Sequence, residues 1–157
     1  MGYRLIDDDS VWLGYRWTGH NPYNNFYQEN RLFEQLIHQK KFAYNDRFIA
    51  RTRLEEIQRS NSNQISLRLR QRMAVELRRY SSKFFPFLYD EVFFQLNNTS
   101  YTSNNFVSEN RLFIGGNFIT SRNTWWEIGY INQFQMHTPQ ASQNIMSHII
   151  SVTYNLA

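Results

Sequence analysis

The sequence has no cysteine, only three prolines and only six glycines. Without cysteine there is no disulfide framework and no thiolate metal site. With so little proline, few positions force the backbone to break. There is also no apolar run near the ~20 residues that a membrane helix needs, and mean hydropathy is −0.62. A helical membrane protein is therefore excluded. The first ten residues, MGYRLIDDDS, hold no apolar stretch of the signal-peptide type. Lysine occurs only at positions 40, 41 and 83, so the formal charge of +4 is carried by arginine. Aromatic residues, by contrast, make up 17% of the chain. The length of 157 residues fits one domain, and no linker or composition shift divides it.

What the chain does have is alternation. In 64–78, Ile65, Leu67, Leu69, Met73, Val75 and Leu77 share one parity, while Ser66, Arg68, Arg70, Arg72, Glu76 and Arg78 share the other. Period two is the strand signature. A helix competes there, because Ile65, Leu69, Met73 and Leu77 also step by four. The other segments decide for strands. Leu112, Ile114, Gly116 and Phe118 oppose Arg111, Phe113, Gly115 and Asn117. Trp126, Ile128 and Tyr130 oppose Trp125, Glu127 and Gly129, and Ile150, Val152, Tyr154 and Leu156 oppose Ser151, Thr153 and Asn155. Eight strands are expected, near 11–20, 26–38, 46–59, 64–79, 87–98, 106–119, 124–135 and 145–156. The stretch 26–38 alternates least well, because Glu34 shares the parity of Leu32 and Leu36. Turn residues separate the strands at Asn21-Pro22, Ser60–Asn63, Asn97-Asn98, Ser121–Asn123 and Thr138-Pro139. The motif Glu29-Asn30-Arg31-Leu32-Phe33 recurs at Glu109-Asn110-Arg111-Leu112-Phe113, which shows one alternation template used twice.

The expected fold is all-β: an antiparallel up-and-down meander forming a single β-barrel domain over residues 1–157. Charge collects on one parity: Arg16, Glu29, Arg31, Arg51, Arg53, Glu55, Arg68, Arg70, Arg72, Glu76, Arg78, Glu91, Glu109, Arg111 and Glu127. The other parity carries Leu67, Leu69, Val75, Leu77, Val92, Phe94, Leu112, Ile114, Phe118, Ile128, Ile150 and Val152. In water the charged face would be outside, around an apolar ligand cavity. In a membrane the charges would face a lumen and the apolar set would face lipid. Three features favour the membrane. The strands exceed the usual ~5–6 residues and match the ~9–11 of a membrane strand. The charged face also carries small residues such as Gly14, Gly115, Gly129 and Ser147. Trp17, Tyr89, Trp126 and Tyr154 are placed for interfacial girdles.

Several segments resemble a family of uncharacterised outer-membrane-type β-barrels of Gram-negative bacteria, known only as a domain of unknown function. They are Val11–Arg16, Arg51–Glu55, Asp90–Phe94, Asn110–Phe113, Glu127–Tyr130 with Asn132-Gln133, and His148–Ile150. The ordered set spans nearly the whole chain. The resemblance implies an outer-membrane address, insertion by the barrel-assembly machinery, and a porin-like or structural role without assigned activity. It also implies a signal peptide and earlier strands, so residues 1–5 read as the end of a strand whose beginning is missing. A complete barrel of ten or twelve strands is then expected, although eight could close alone. With a periplasmic C-terminus, loop 136–144 is external and the 121–123 turn periplasmic. The short 60–63 connection breaks the expectation that external loops are long. Tyr154 and Leu156 alternate as a sorting signal does, but the chain ends in Leu156-Ala157.

Each chemical reading has a plainer rival. The Arg/Glu face is either an anion-selecting lumen or a ladder of pairs filling a narrow barrel; the ladder is favoured. The histidines are His20, His38, His137 and His148. His148 and Ser151 differ in parity and cannot pair within a strand, so a lipid-hydrolase triad is disfavoured and no enzyme is expected. Asp7-Asp8-Asp9 reads as a solvated turn rather than a cation site, and no metal or cofactor is expected. The arginines of 68–79 alternate with apolar residues and are offset by glutamate, so no nucleic acid is expected. Gly115-Gly116 is a packing or bend site. The expected partners are outer-membrane lipids and small anionic solutes.

Overall fold

A computed structural model describes residues 2–6, 8–21, 26–78, 83–137 and 143–156. The turn residues at Pro22, Thr138 and Pro139, together with Asp7 and the end of the expected fourth strand at Arg79, lie outside the described residues. Nine strands form one antiparallel sheet in sequence order: β1 (Gly2–Ile6), β2 (Asp9–His20), β3 (Tyr27–Lys41), β4 (Arg47–Arg59), β5 (Ile65–Glu76), β6 (Phe84–Gln95), β7 (Val107–Ser121), β8 (Thr124–Gln135) and β9 (Ile145–Leu156). The alternation over 64–78 is strand and not helix. The least regular stretch becomes β3, one of the two longest strands, with Glu34 exposed between Leu13 and Leu54.

Strand ends differ from the sequence reading mainly at β6, which begins at Phe84, ahead of Pro86. A proline in a strand costs a ladder hydrogen bond. Here β5 has already ended, and the Pro86 carbonyl accepts the Leu77 N–H at 3.0 Å. The missing N–H points to the same side, past the end of the β5 ladder. The earlier start also corrects one assignment. Tyr89 is not at an interfacial strand end; it lies mid-strand on the charged face, stacked on Phe113 with centroids 4.9 Å apart.

The meander is not closed into a barrel. Among the described residues β1 pairs only with β2 and β9 only with β8. Nine antiparallel strands leave the first and last running in the same direction, so these two edges cannot meet as an antiparallel pair.

The sheet is nevertheless strongly curled. Ala74, Phe87 and Phe113 are buried and pack with Ile49, Tyr89 and Ile131, bringing together side chains from β4 to β8. Most of this cluster is one row of ladder partners, Ile49–Ala74–Tyr89–Phe113–Ile131. The curl shows in His20 of β2 and Ile145 of β9 lining one cavity, since at ~4.8 Å per strand a flat sheet would hold them about 34 Å apart. Close backbone approach shapes this core. Gly115 and Gly129 are register partners, and a Cβ on either would lie under 3.0 Å from the Phe113 ring and a strand carbonyl. Their bare faces make room for the fully buried Phe113 ring.

Candidate functional site

Register sorts every strand residue onto one of two faces. The ladder partners Phe33–Glu55–Arg68–Gln95, Arg53–Arg70–Phe93–Glu109 and Arg51–Arg72–Glu91–Arg111–Gln133 run along a single face. That face is the concave one. The charged residues singled out in the sequence from Arg16 to Glu127 all share it, and Arg78, just beyond β5, joins it over the Phe85 ring at 4.2 Å. The apolar set from Leu67 to Val152 shares the opposite, convex face, with Leu77 continuing it just past β5.

Glu55 is the hub of the concave face and is 0% exposed. Its Oε2 accepts from Arg68 Nε at 2.9 Å and Nη2 at 2.6 Å, and its Oε1 accepts from Arg70 Nη1 at 2.8 Å. Arg31 and Arg53 stand at 3.5 and 3.6 Å. Glu91 is the second hub. Arg70 Nη2 reaches both its oxygens, at 2.9 and 3.0 Å, and Arg51 pairs with Oε1. Phe93, also fully buried, forms the floor: Arg68, Arg70 and Arg111 lie 5.1, 4.6 and 4.9 Å from its ring centroid.

This network answers an electrostatic problem set by the register. Arg53 faces Arg70, Arg51 faces Arg72, and Arg16 faces Arg31. Like charges directly opposite repel. Glu55 bridges the first pair, touching both Arg53 and Arg70, and Glu91 ties Arg51 of the second pair to Arg70 of the first, while Arg53 also gives two hydrogen bonds to Gln35 Oε1 at 2.8 and 2.5 Å. Not every predicted member is drawn in. Among the described residues Arg16, Arg72 and Glu127 make no ion pair; Arg72 lies over the Tyr89 ring at 5.1 Å.

The end of the sheet where β2, β4, β6 and β8 finish opens on a cavity of about 280 Å³. Loop 96–106 is tied over it. Tyr101 Oη shares its proton between the Ile57 and Gln64 carbonyls, each at 2.9 Å, and Arg59 stacks 4.5 Å from the Tyr101 ring. Burial pushes the Tyr101 phenol pKa up. Thr99 and Ser103 of the same loop are buried. Sequence reading missed Arg59, Tyr101, His20 and His137 as cavity residues. For Arg59 the signal was present, since it continues the parity of Arg51, Arg53 and Glu55; a loop residue such as Tyr101 has no period to betray it.

Residues 1–144 match the family model for a protein of unknown function, DUF2490. The chain belongs to the DUF2490 family. No curated protein and no solved structure matches it significantly. The family assignment brings no activity to this DUF2490 member, so its convex face matters as much as its interior.

On that convex face of the DUF2490 sheet, Ile150 is 83% and Leu156 75% exposed, and Leu13, Leu36, Leu54, Leu112, Ile114, Ile128 and Val152 are all open. Rings gather near both strand ends: Phe84 on Phe118 at 4.7 Å and Trp126 on Tyr154 at 4.8 Å at one end, Trp17 and the Phe94–Phe106 pair at the other. Several polar groups there are matched across strands. Thr52 donates to Gln71 Oε1 at 2.6 Å, Asn110 to Asp90 Oδ1 at 2.7 Å, and Tyr15 to Asn30 Oδ1 at 2.6 Å. His148 shares this face and bonds Tyr130, while Ser151 lies on the other. His148 and Ser151 are thus not brought together. Asp9 is paired with His38 Nδ1 at 2.7 Å.

Proposed function

We propose that this chain is the wall of an outer-membrane-type β-barrel with a passive, structural role in the bacterial envelope. One observation carries the reading: polarity is inverted. Glutamates and arginines fill the concave side, with Glu55 at 0% exposure, while the aliphatic residues of the convex side are exposed, Ile150 at 83%. A soluble ligand-binding barrel would need the Leu/Ile/Val parity as its core. A convex apolar face of this extent in water would be an association liability; against hydrocarbon it is the required surface. Cross-strand pairing of polar groups on that face fits an environment without water to satisfy them. Insertion would run through the barrel-assembly machinery, with Tyr154 and Leu156 at the sorting end and lipid as the main partner.

Within the passive class, the packed interior favours a filled wall over an open pore. Solutes would have to displace the Glu55 and Glu91 clusters, each held by several arginine bonds. A second reading, passage of small anions, is favoured by the arginine surplus beside those hubs, Arg72 included. Arg70→Glu separates the two. Anion passage requires a shifted reversal potential in planar bilayers, and a filled wall gives no steady conductance in either protein. The class itself is tested by refolding in detergent and comparing boiled and unboiled gel mobility. A heat-modifiable band with β-rich circular dichroism is expected. A monomer soluble without detergent would overturn the reading.

A further inference from the structure

The cavity under loop 96–106 has a hydrogen-bond inventory that is unbalanced in one direction. Both carboxylates lining it are committed. Glu29 Oε1 accepts from Arg31 at 2.5 Å and its Oε2 from Arg59 at 3.3 Å. Glu109 Oε1 accepts from Arg111, and its Oε2 takes Gln135 Nε2 at 3.3 Å. The unused groups are nitrogens. His20 Nε2 and Arg31 Nε are buried, have no partner among the described residues, and belong to residues that line this same cavity. An Arg Nε–H can only donate, and a buried donor left empty costs free energy that a bound acceptor would recover. The fixed charges also lean one way, with Arg31, Arg59 and Arg68 against Glu29 and Glu109. His137 stands at the rim, its backbone N–H held by Asn144 Oδ1 at 2.9 Å.

We propose that this cavity is a binding site for a small organic oxyanion, a carboxylate or phosphate ester. Its oxygens accept from Arg31 Nε and His20 Nε2. Its body rests among Tyr101, Ile57 and Met136, which line the same space. At about 280 Å³ the cavity is at the small end of ligand pockets, which limits the solute to a compact one. Arginine is suited to both head groups because its planar fork matches carboxylate and phosphate alike. The tether of Tyr101 to Ile57 and Gln64 makes loop 96–106 the wall of the site rather than a free flap. The site rests on the envelope reading only for the side from which solute arrives.

Isothermal titration calorimetry of the folded protein, in detergent or buffer as its folding requires, tests this with inorganic phosphate and benzoate as probes. Saturable binding of at least one probe is expected, weakened about tenfold or more, or ~1.4 kcal/mol, by His20→Ala and by Arg31→Lys, which keeps the charge and removes the Nε–H. Arg122→Gln, in the β7–β8 turn at the opposite end of the sheet, should bind as wild type. Cooperative unfolding of each variant establishes that it is folded. Absence of saturable binding to either probe would overturn the proposal, as would equal weakening by Arg122→Gln, which signals general charge attraction. Failure to insert into detergent would instead count against the envelope role while leaving the binding result intact.

Discussion

Glu55 shows how much one residue can carry. It holds Arg68 and Arg70 directly, with Arg31 and Arg53 at the edge of contact. A buried pair is not a large net gain, because desolvation offsets the Coulomb attraction. Removing one partner is different, since the remaining charges stay buried and uncompensated. Glu55→Gln should therefore destabilise the fold by about 3–5 kcal/mol, read from urea unfolding of the folded protein; a loss under 1 kcal/mol, the scale of an exposed pair, would show that water reaches the cluster. Gly129→Ala tests packing rather than charge. Its Cβ would lie 2.4 Å from the Phe113 ring and 2.7 Å from the Ile114 carbonyl. A cost of about 1–3 kcal/mol is expected from overpacking, and wild-type stability would mean that Phe113 can move aside. Both residues were visible in the sequence as members of the charged or small parity. Their partners were not, because alternation gives the face of a side chain and says nothing of its neighbour across the ladder.

At the scale of the strand, alternation was the most legible feature, and it placed the charged and apolar sets on opposite faces from β2 to β9. It worked because a strand's side-chain period is two whatever the surroundings. Where it failed, at Tyr89, the error lay in a strand boundary: β6 begins at Phe84 rather than at position 87, with Pro86 tolerated beside the end of β5. The inward aromatics were the other omission. Phe93, Phe113 and Phe87 share the charged parity and were overshadowed by its arginines, yet they are the buried floor beneath them. The cavity loop, 96–106, has no periodicity to read. Two strand-level predictions follow from facing. Leu69, mid-strand between Leu54 and Phe94, should cost ~2–4 kcal/mol as Leu69→Arg in lipid, measured by reversible unfolding from vesicles. Glu34, the acidic outlier on the apolar face of β3, should do the reverse: Glu34→Leu is expected to raise stability in lipid, and lowered stability would place Glu34 in water or in a needed contact.

For the whole molecule, the same alternating chain permits two inside-out arrangements, and burial distinguishes them where periodicity does not. The concave side holds ionised groups in mutual contact around Phe93; the convex side holds an uncovered aliphatic surface bounded by rings. Among the described residues β1 and β9 each pair on one side only, so the sheet presents a curved wall with two margins. The proposed envelope role requires the convex face to meet hydrocarbon. The chain's lack of cysteine makes the direct measurement clean. Single cysteines at Leu69, Leu112 and Ile150, and at the inward Arg111 and Ser151, would carry nitroxide labels in the vesicle-reconstituted protein. Electron paramagnetic resonance accessibility then compares oxygen, which concentrates in lipid, with a water-soluble nickel chelate. High oxygen and low nickel accessibility are expected at the three convex positions, and not at the two concave ones. Nickel access at Leu69, Leu112 and Ile150 equal to that of a solvated site would contradict the proposed role.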